Sequence, residues 1–374
     1  MVSPLKPAAG EPQATMEIFP MKKGTARDWS QVPQDLLELI ASKASDISDY
    51  FRFSAVCKSW GCAAKKPVHL HRQLPWVVLY PRDSASCTFY DPWNNKVRAL
   101  NLELERMTTV RASYHGWFLI QKDHCDLFLF NPITRARVHL PRMFHHQIAF
   151  PLIASNPYSD DDCFVLCTLD RRNWCSIRES KKLAFCRPGD REWTMLDVEL
   201  DFHYAANCNM KTYVCSYEGR VAVCDLKGAK VTLIPSLLPI LGHHLHAACF
   251  LGAPSGDLLL VAFNTEWTEV HVFKADLHEP QPLWIEVQNI GDAALFMSIA
   301  HCSCVSTTDF PSLNKNHIYH GRCMDFLGYT IAGVGAQTTA MQNIETKVMK
   351  ELPYPGSELS EWWEEKFWFT PSLY

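Results

Sequence analysis

Apolar side chains recur at helical spacing in one short part of the chain, residues 29–60. Leu36, Leu37 and Ile40 occupy positions i, i+1 and i+4, which predicts an apolar face on a helix. A second run repeats this spacing after a polar break, with Ile47, Tyr50, Phe51, Val56, Cys57 and Trp60. Two or three short helices within about 35 residues cannot enclose a core of their own. We therefore expect their apolar faces to be buried on the next domain or on a partner chain.

From residue 76 onward the pattern changes to short apolar strands joined by turns that contain Asn, Asp, Pro or Gly. Two units, at residues 76–100 and 116–140, share an aromatic strand, an Asp-Pro or Asn-Pro turn and a strand that ends in Leu. A weaker third copy covers residues 220–234. Asx-Pro pairs favour turns, and the flanking β-branched and aromatic residues favour strands.

Two further groups of strands, at residues 163–196 and 258–287, each end in a strand that has Trp near its start. A period of about 40 to 50 residues, with three or four antiparallel strands per unit, is typical of propeller blades. The length of the β region allows about six or seven blades, and we expect six. A pair of packed sheets, as in a β-sandwich, is the alternative architecture.

The helical stretch contains two motifs, Val32-Pro33-x-Asp35-Leu36-Leu37-x-x-Ile40 and Phe53-x-x-Val56-Cys57-x-x-Trp60. Together they resemble an F-box, in which Leu usually stands at the position of Val32. The resemblance implies docking to a Skp-type adaptor, and through it to a cullin, within a Skp–cullin–F-box ubiquitin ligase. The residues that it implies for adaptor binding are Val32, Pro33, Leu36, Leu37, Ile40, Phe53, Val56, Cys57 and Trp60. An ordinary helical hairpin that caps the β domain is the alternative.

The C-terminal third carries a second set of motifs: Trp284-Ile285-Glu286-Val287, Ile290-Gly291-Asp292-x-x-Leu295-Phe296, His317-Ile318-Tyr319 and a final aromatic-Thr370-Pro371-Ser372. They resemble the β-propeller of the plant F-box family that includes the KIB proteins, a kelch-like family. The resemblance implies an α+β multidomain protein. Its small all-α F-box module is followed by an all-β propeller of about six blades.

The composition of each segment suggests the domain boundaries. Residues 1–27 are rich in Pro, Ala and Gly and lack hydrophobic periodicity, so we expect a flexible tail. We assign residues 28–66 to the F-box, 67–75 to a connector and 76–374 to a propeller that recognises the substrate. Residues 366–370 are expected to add a strand to the first blade, because such closure removes exposed sheet edges.

Composition narrows the class of protein and its compartment. The net charge of −4 and the isoelectric point near 6.5 argue against a general nucleic-acid-binding surface. The sequence shows no run of 18 apolar residues and no apolar segment near residue 1, so we expect neither a membrane span nor a secretory signal. The 15 cysteines are odd in number and scattered through apolar strands. This usage favours reduced thiols and a protein of the nucleus or the cytoplasm.

The sequence contains none of the motifs G-x-S-x-G, H-E-x-x-H, G-x-G-x-x-G or a Walker-type loop. The densest groups of potential metal ligands, His243-His244-x-His246 and His301-Cys302-x-Cys304, lack the second pair of ligands that a zinc finger needs. We therefore expect no catalytic residue, no metal and no cofactor. Residues 171–174, Arg-Arg-Asn-Trp, are expected to form a solvated loop, with contact to an acidic target as the alternative.

Hypotheses from different functional classes remain. In the first, the chain is a non-catalytic adaptor whose F-box docks the ligase while the propeller presents an unidentified target protein for ubiquitination. In the second, the chain is a propeller enzyme or a small-molecule-binding protein, and the helices are a cap. That alternative requires convergent ionisable side chains in the central channel. A third is an F-box scaffold that acts outside any ligase.

Overall fold

The structure of the chain is a computed structural model. It describes residues 28–43, 47–64, 73–80, 86–102, 108–123, 125–143, 146–153, 163–171, 182–197, 202, 204–216, 220–234, 245–264, 269–277, 283–298, 301–321, 339–352 and 365–372. The chain divides into two compact units, Met1–His69 and Leu70–Tyr374. The tail predicted at residues 1–27 and positions 67–72 of the predicted connector lie outside the described residues.

The described part of the first unit contains a 3₁₀ turn and three short helices. They are the turn Trp29–Gln31, α1 (Gln34–Ala41), α2 (Ile47–Ser54) and α3 (Lys58–Ala63). Pro33 immediately precedes α1, where its fixed φ and missing N–H cost little. Across the residues that the structure describes, no helix is long and apolar enough to cross a membrane.

The three helices pack on one another, because α3 contacts both α1 and α2. Seven apolar side chains in this unit are buried: Leu37, Ala41, Ile47, Tyr50, Phe53, Ala63 and Ala64. The expectation that the apolar faces depend on another domain or a partner is therefore wrong in part. Packing between the helices covers the buried side chains, whereas other apolar side chains of the same helices are exposed to solvent.

The second unit contains six sheets, which form the blades of a propeller. Its first blade contains β1 (Trp76–Tyr80), β2 (Ser86–Asp91) and β3 (Lys96–Asn101). The second blade contains β4 (Thr108–Tyr114), β5 (Trp117–Lys122), β6 (Asp126–Phe130) and β7 (Arg137–His139). The third contains β8 (His146–Ile153), β9 (Val165–Arg171), β10 (Lys182–Cys186) and β11 (Thr194–Leu196). Neighbouring strands in these three blades follow one another in sequence.

The fourth and fifth blades repeat this order, and the sixth departs from it. The fourth contains β12 (Tyr204–Cys208), β13 (Lys211–Cys215), β14 (Val221–Asp225) and β15 (Lys230–Leu233). The fifth contains β16 (Leu245–Gly252), β17 (Leu258–Asn264), β18 (Val270–Asp276) and β19 (Leu283–Val287). The sixth contains β20 (Ala293–Ser298), β21 (His301–Ser306), β22 (His317–Gly321), β23 (Thr339–Asn343) and β24 (Met349–Glu351). Its strand order is β21-β20-β22-β23-β24, and β20 pairs in parallel with β22.

The last strand, β25 (Glu365–Phe369), closes the ring by pairing antiparallel with β1 of the first blade. Trp76 lies opposite Phe369, and Tyr80 lies opposite Glu365. The innermost strands β4, β8, β12, β16, β21 and β25 contact one another in sequence around the ring. The prediction of a C-terminal closing strand is confirmed, as is the six-bladed propeller, and the sandwich alternative is wrong.

Four of the innermost strands, β4, β8, β12 and β16, are missing from the sequence-based prediction. These strands mix small and polar residues, as in YAANC for β12 and LHAACFLG for β16. Side chains near the axis of a propeller have little room and partly face its channel. β4 and β12 therefore lack the long apolar runs that indicate the other strands, and Pro151 interrupts such a run in β8, HQIAFPLI.

Four blades share the same turn between their last two strands. In each turn a carboxylate or amide oxygen accepts hydrogen bonds from the backbone N–H groups two and three residues further on. The distances for Asp91 are 3.0 Å from Trp93 and 3.2 Å from Asn94. The other acceptors are Asn131, Asp225 and Asn343. These turns explain the three repeats read from the sequence, and the turn at Asn343 adds a fourth that the sequence analysis missed.

The side chains of β25 pack alternately against the two blades that flank the first blade. The ring of Trp368 lies 5.0 Å from that of Phe296 in the sixth blade, and its Nε1 donates to the Tyr319 carbonyl at 3.1 Å. On the other side, the ring of Phe369 lies 5.0 Å from that of Phe118 in the second blade. One strand therefore joins three blades.

We expect Trp368→Ala to destabilise the propeller by about 3–5 kcal/mol, because it leaves a cavity beside the sixth blade. Trp368→Phe keeps a ring but removes the hydrogen bond to Tyr319, so its expected cost is smaller, about 1–2 kcal/mol. Urea denaturation of the full chain, followed by circular dichroism, measures both changes. An unchanged denaturation midpoint for the Ala variant would contradict the role given to this strand.

Candidate functional site

Helix α1 carries apolar side chains on two sides. Leu37 and Ala41 are buried, whereas Leu36, Leu39 and Ile40 are 48%, 56% and 46% exposed. Spacings of three and four residues place the exposed three on one side of the helix. A surface helix normally has one apolar stripe, which faces the core. The second stripe on α1 is thus available to another protein.

Two more exposed apolar side chains belong to the same unit: Trp29, in the turn before α1, at 60%, and Val56, between α2 and α3, at 53%. Twelve large apolar side chains are exposed among the described residues, and five of them belong to the helical unit, although it is the smaller of the two. Exposed apolar side chains concentrated in this way mark interaction surfaces. We call these five the exposed helical set: Trp29, Leu36, Leu39, Ile40 and Val56.

Side chains of α3 hold the 3₁₀ turn that leads into α1. The indole Nε1 of Trp60 donates to the carbonyl of Trp29 at 2.8 Å, and the Ser59 hydroxyl donates to the Ser30 carbonyl at 3.2 Å. The Trp60 ring also lies 4.6 Å from that of Phe53. These contacts fix the start of α1 relative to α3. Trp60 and Phe53 thereby support the exposed surface from within the unit.

The turn is also held from its N-terminal side. The Asp28 carboxylate accepts hydrogen bonds from the backbone N–H and the hydroxyl of Ser30, at 3.0 and 2.6 Å. These hydrogen bonds lower the pKa of Asp28, and the one from the hydroxyl contributes most.

At the start of α3, the Cys57 thiol and the Ser59 hydroxyl are hydrogen-bonded at 3.1 Å. This hydrogen bond lowers the pKa of Cys57.

The nine residues predicted to bind the adaptor therefore occupy three kinds of position. The exposed ones are Pro33, Leu36, Ile40 and Val56, the half-buried ones are Val32, Cys57 and Trp60, and the buried ones are Leu37 and Phe53. Their role in adaptor binding stays a prediction, and the buried pair is placed to support the surface. The sequence analysis did not assign Trp29 or Leu39 to adaptor binding. Helical spacing from Leu36 could have indicated Leu39.

In the propeller, a pocket of about 220 Å³ lies on the axis of the ring. Residues on or next to each innermost strand line it, including Tyr114, Leu152, Ala206, Phe250, Cys304 and Thr370. Burial raises the pKa of Tyr114 and that of Cys304 to about 12. Both groups are therefore neutral near pH 7, and a protonated thiol is a poor nucleophile.

The two groups of potential metal ligands noted in the sequence are only partly described. His243 and His244 lie outside the described residues, while Cys302 and Cys304 are half-buried beside the axial pocket. Within the described ranges, no group of three or more His, Cys, Asp or Glu side chains is arranged to hold a metal ion. Of the Arg-Arg-Asn-Trp segment, only Arg171 is described, as the last residue of β9.

Comparison with known proteins identifies both units. Residues 29–72 match the F-box domain model, and residues 89–337 match the KIB1-4 beta-propeller model. The F-box/kelch-repeat protein At1g57790 of Arabidopsis thaliana is 28% identical over 75% of this chain and 79% of its own length. The putative F-box protein At4g17565 of the same plant is 23% identical over 92% of this chain and 95% of its own length.

Among solved structures, a protein of unknown function from Bacteroides caccae aligns with 74% of this chain and 93% of its own, with 12% identity and a TM-score of 0.43.

The match to the KIB1-4 beta-propeller model covers more than half of the chain and begins in the first blade. Both resemblances read from the sequence are thereby confirmed. The chain belongs to the family of plant F-box proteins that carry a KIB1-4 β-propeller.

Proposed function

We propose that this chain is the substrate-recognition subunit of a Skp–cullin–F-box ubiquitin ligase. Its F-box binds a Skp-type adaptor and, through it, a cullin, while the propeller binds a target protein. The exposed helical set is the observation that carries the proposal. An F-box implies a Skp-type partner, and these five side chains are the apolar surface that such a partner would cover.

The energetic argument rests on completing the burial of half-exposed side chains. Leu36, Leu39 and Ile40 each keep about half of their surface in water. Removing that remaining surface contributes on the order of 1 kcal/mol for each side chain. The bracing of α1 by Trp60 adds to this, because a preformed surface loses little conformational freedom on binding.

In this proposal the chain is not a catalyst but holds two proteins close together. A target lysine held near a ubiquitin-charged enzyme reacts at a high effective concentration. The propeller suits this role, because its closed ring of blades presents loops from a rigid scaffold.

The proposal places the protein in the nucleus or the cytoplasm. Eight of the described cysteines are buried, and burial raises the pKa of Cys224, for example, to about 12. Such cysteines act as small apolar side chains and suit a reducing compartment.

The double variant Leu36→Ala with Ile40→Ala tests adaptor docking. We expect it to bind a Skp-type adaptor about thirtyfold more weakly, because it truncates two exposed apolar contacts that each contribute on the order of 1 kcal/mol. Isothermal titration with the purified adaptor measures the affinity, and circular dichroism confirms that the variant is folded.

The matched control is Leu283→Ala with Ile285→Ala on β19 of the fifth blade, where both side chains are 45% exposed. It removes the same kinds of apolar atoms from a surface to which the proposal assigns no adaptor contact. We expect adaptor affinity to be unchanged. Equal affinities for the parent chain and the Leu36/Ile40 variant would overturn the docking assignment.

Affinity capture from plant cells with the proteasome inhibited tests the ligase role. The parent chain should capture a cullin together with the adaptor, and its other captured proteins should carry ubiquitin. The Leu36/Ile40 variant should capture the same target proteins without that modification, because its propeller is unaltered. Capture of the adaptor without any cullin would refute the ligase role and indicate a scaffold.

A further inference from the structure

A cleft of about 410 Å³ lies on the second blade, where positive charge is concentrated. Among the described residues, Lys122, Arg137 and Arg142 line it, together with His139 and one carboxylate, that of Asp126. The residues come from β5, β6, β7 and the segment that follows β7. This charge balance is opposite to that of the chain, whose net charge is −4. A basic cleft on an acidic protein favours a negatively charged ligand.

Arg137 is held in position by two buried aromatic rings. Its guanidinium carbon lies 5.2 Å from the ring centre of Phe128 and 5.3 Å from that of Phe130. A cation–π contact uses the charge of the guanidinium without consuming its in-plane N–H donors. Those donors form the planar fork that binds a carboxylate through two parallel hydrogen bonds. The rings therefore preorganise Arg137 for an anion.

The other charges form one side of the cleft. Nε and Nη2 of Arg142 donate to the two oxygens of Asp126, at 2.5 and 3.1 Å. The hydrogen bond from Arg142 is the main reason why the pKa of Asp126 is lowered. Lys122 lies directly opposite Asp126 in the pairing of β5 with β6. The described lining therefore holds three cations, Lys122, Arg137 and Arg142, against one carboxylate, and its net charge is positive.

The floor of the cleft is apolar. Leu127, Phe128 and Leu140 line it and are themselves buried. Glutamate combines a carboxylate with two methylene groups, so an acidic peptide can contact the cations and the floor together. A nucleic acid instead requires a long series of cations along its phosphates. The described lining of the cleft holds three cations, which are too few for such a series, and this favours the peptide.

We propose that this cleft binds an acidic, Glu-rich segment of the target protein. This inference rests on the proposed function, because it names the part of the target that the propeller recognises. Arg137 supplies the bidentate carboxylate contact, and Lys122 supplies a second cation. Such charge pairing sets specificity and the rate of association more than it sets affinity.

Fluorescence polarisation of a labelled Glu-rich peptide of about ten residues tests the proposal with the full chain, both alone and with the adaptor added. We expect binding that weakens as salt rises, and no binding of the peptide with Lys in place of Glu. Arg137→Glu should weaken binding about tenfold or more, because it places a carboxylate opposite those of the peptide. Arg137→Lys should lie in between, since it keeps the charge but loses the fork.

Arg187→Glu is the matched control, because its guanidinium carbon also lies over a ring, 5.2 Å from that of Phe185, but outside the cleft. We expect it to change peptide affinity by less than about twofold. Failure of the parent chain to bind the peptide, or equal losses in both variants, would overturn the proposal. So would tighter binding of single-stranded RNA than of the peptide.

Adaptor binding, measured on the same samples, separates this inference from the proposed function. Arg137→Glu should keep the adaptor and lose the peptide, whereas the Leu36/Ile40 variant should lose the adaptor and keep the peptide. Adaptor binding without peptide binding refutes the acidic-segment assignment alone. Absence of adaptor binding by the parent chain refutes the proposed function, whatever the peptide does.

Discussion

Closure of the ring by β25 is the constraint on which the propeller depends. Without this strand, β1 would expose an open edge at the centre of the molecule. Alternation along a strand directs consecutive side chains to opposite faces. Trp368 therefore packs on the sixth blade while Phe369 packs on the second. The stability of the first blade is thus coupled to both of its neighbours through a single five-residue strand.

The same alternation decides which strands the sequence predicts. Middle strands are covered by neighbouring blades on both faces, so β5 and β6 read as nearly continuous apolar runs, WFLIQK and DLFLF. Innermost strands are crowded and partly face the channel, so their patterns are weak and most were missed. The parallel pairing of β20 with β22 was also beyond prediction, because a local pattern contains no information on strand order. The repeated Asx turns were predicted only where clearly apolar strands flank them in the sequence.

In the helical unit, the sequence predicts which positions are apolar but not which are buried. Leu36 and Leu37 are adjacent and chemically identical, yet one is half-exposed and the other is buried. The difference arises from α3, which covers one side of α1 and whose position depends on contacts such as that of Trp60 with Trp29. Periodicity cannot provide this information, since both residues fit an apolar stripe. Placement of the helices separates an exposed residue from a core residue.

The basic cleft could not be predicted, because Lys122 is distant in sequence from Arg137 and Arg142, and the three meet only when β5, β6 and β7 align. The two proposed surfaces also rely on different physical forces. Apolar burial on α1 depends little on salt, whereas contacts to exposed cations are screened at physiological ionic strength. Under these assignments the adaptor stays bound under conditions in which an acidic target dissociates. A recognition subunit of this kind can exchange targets while its ligase remains assembled.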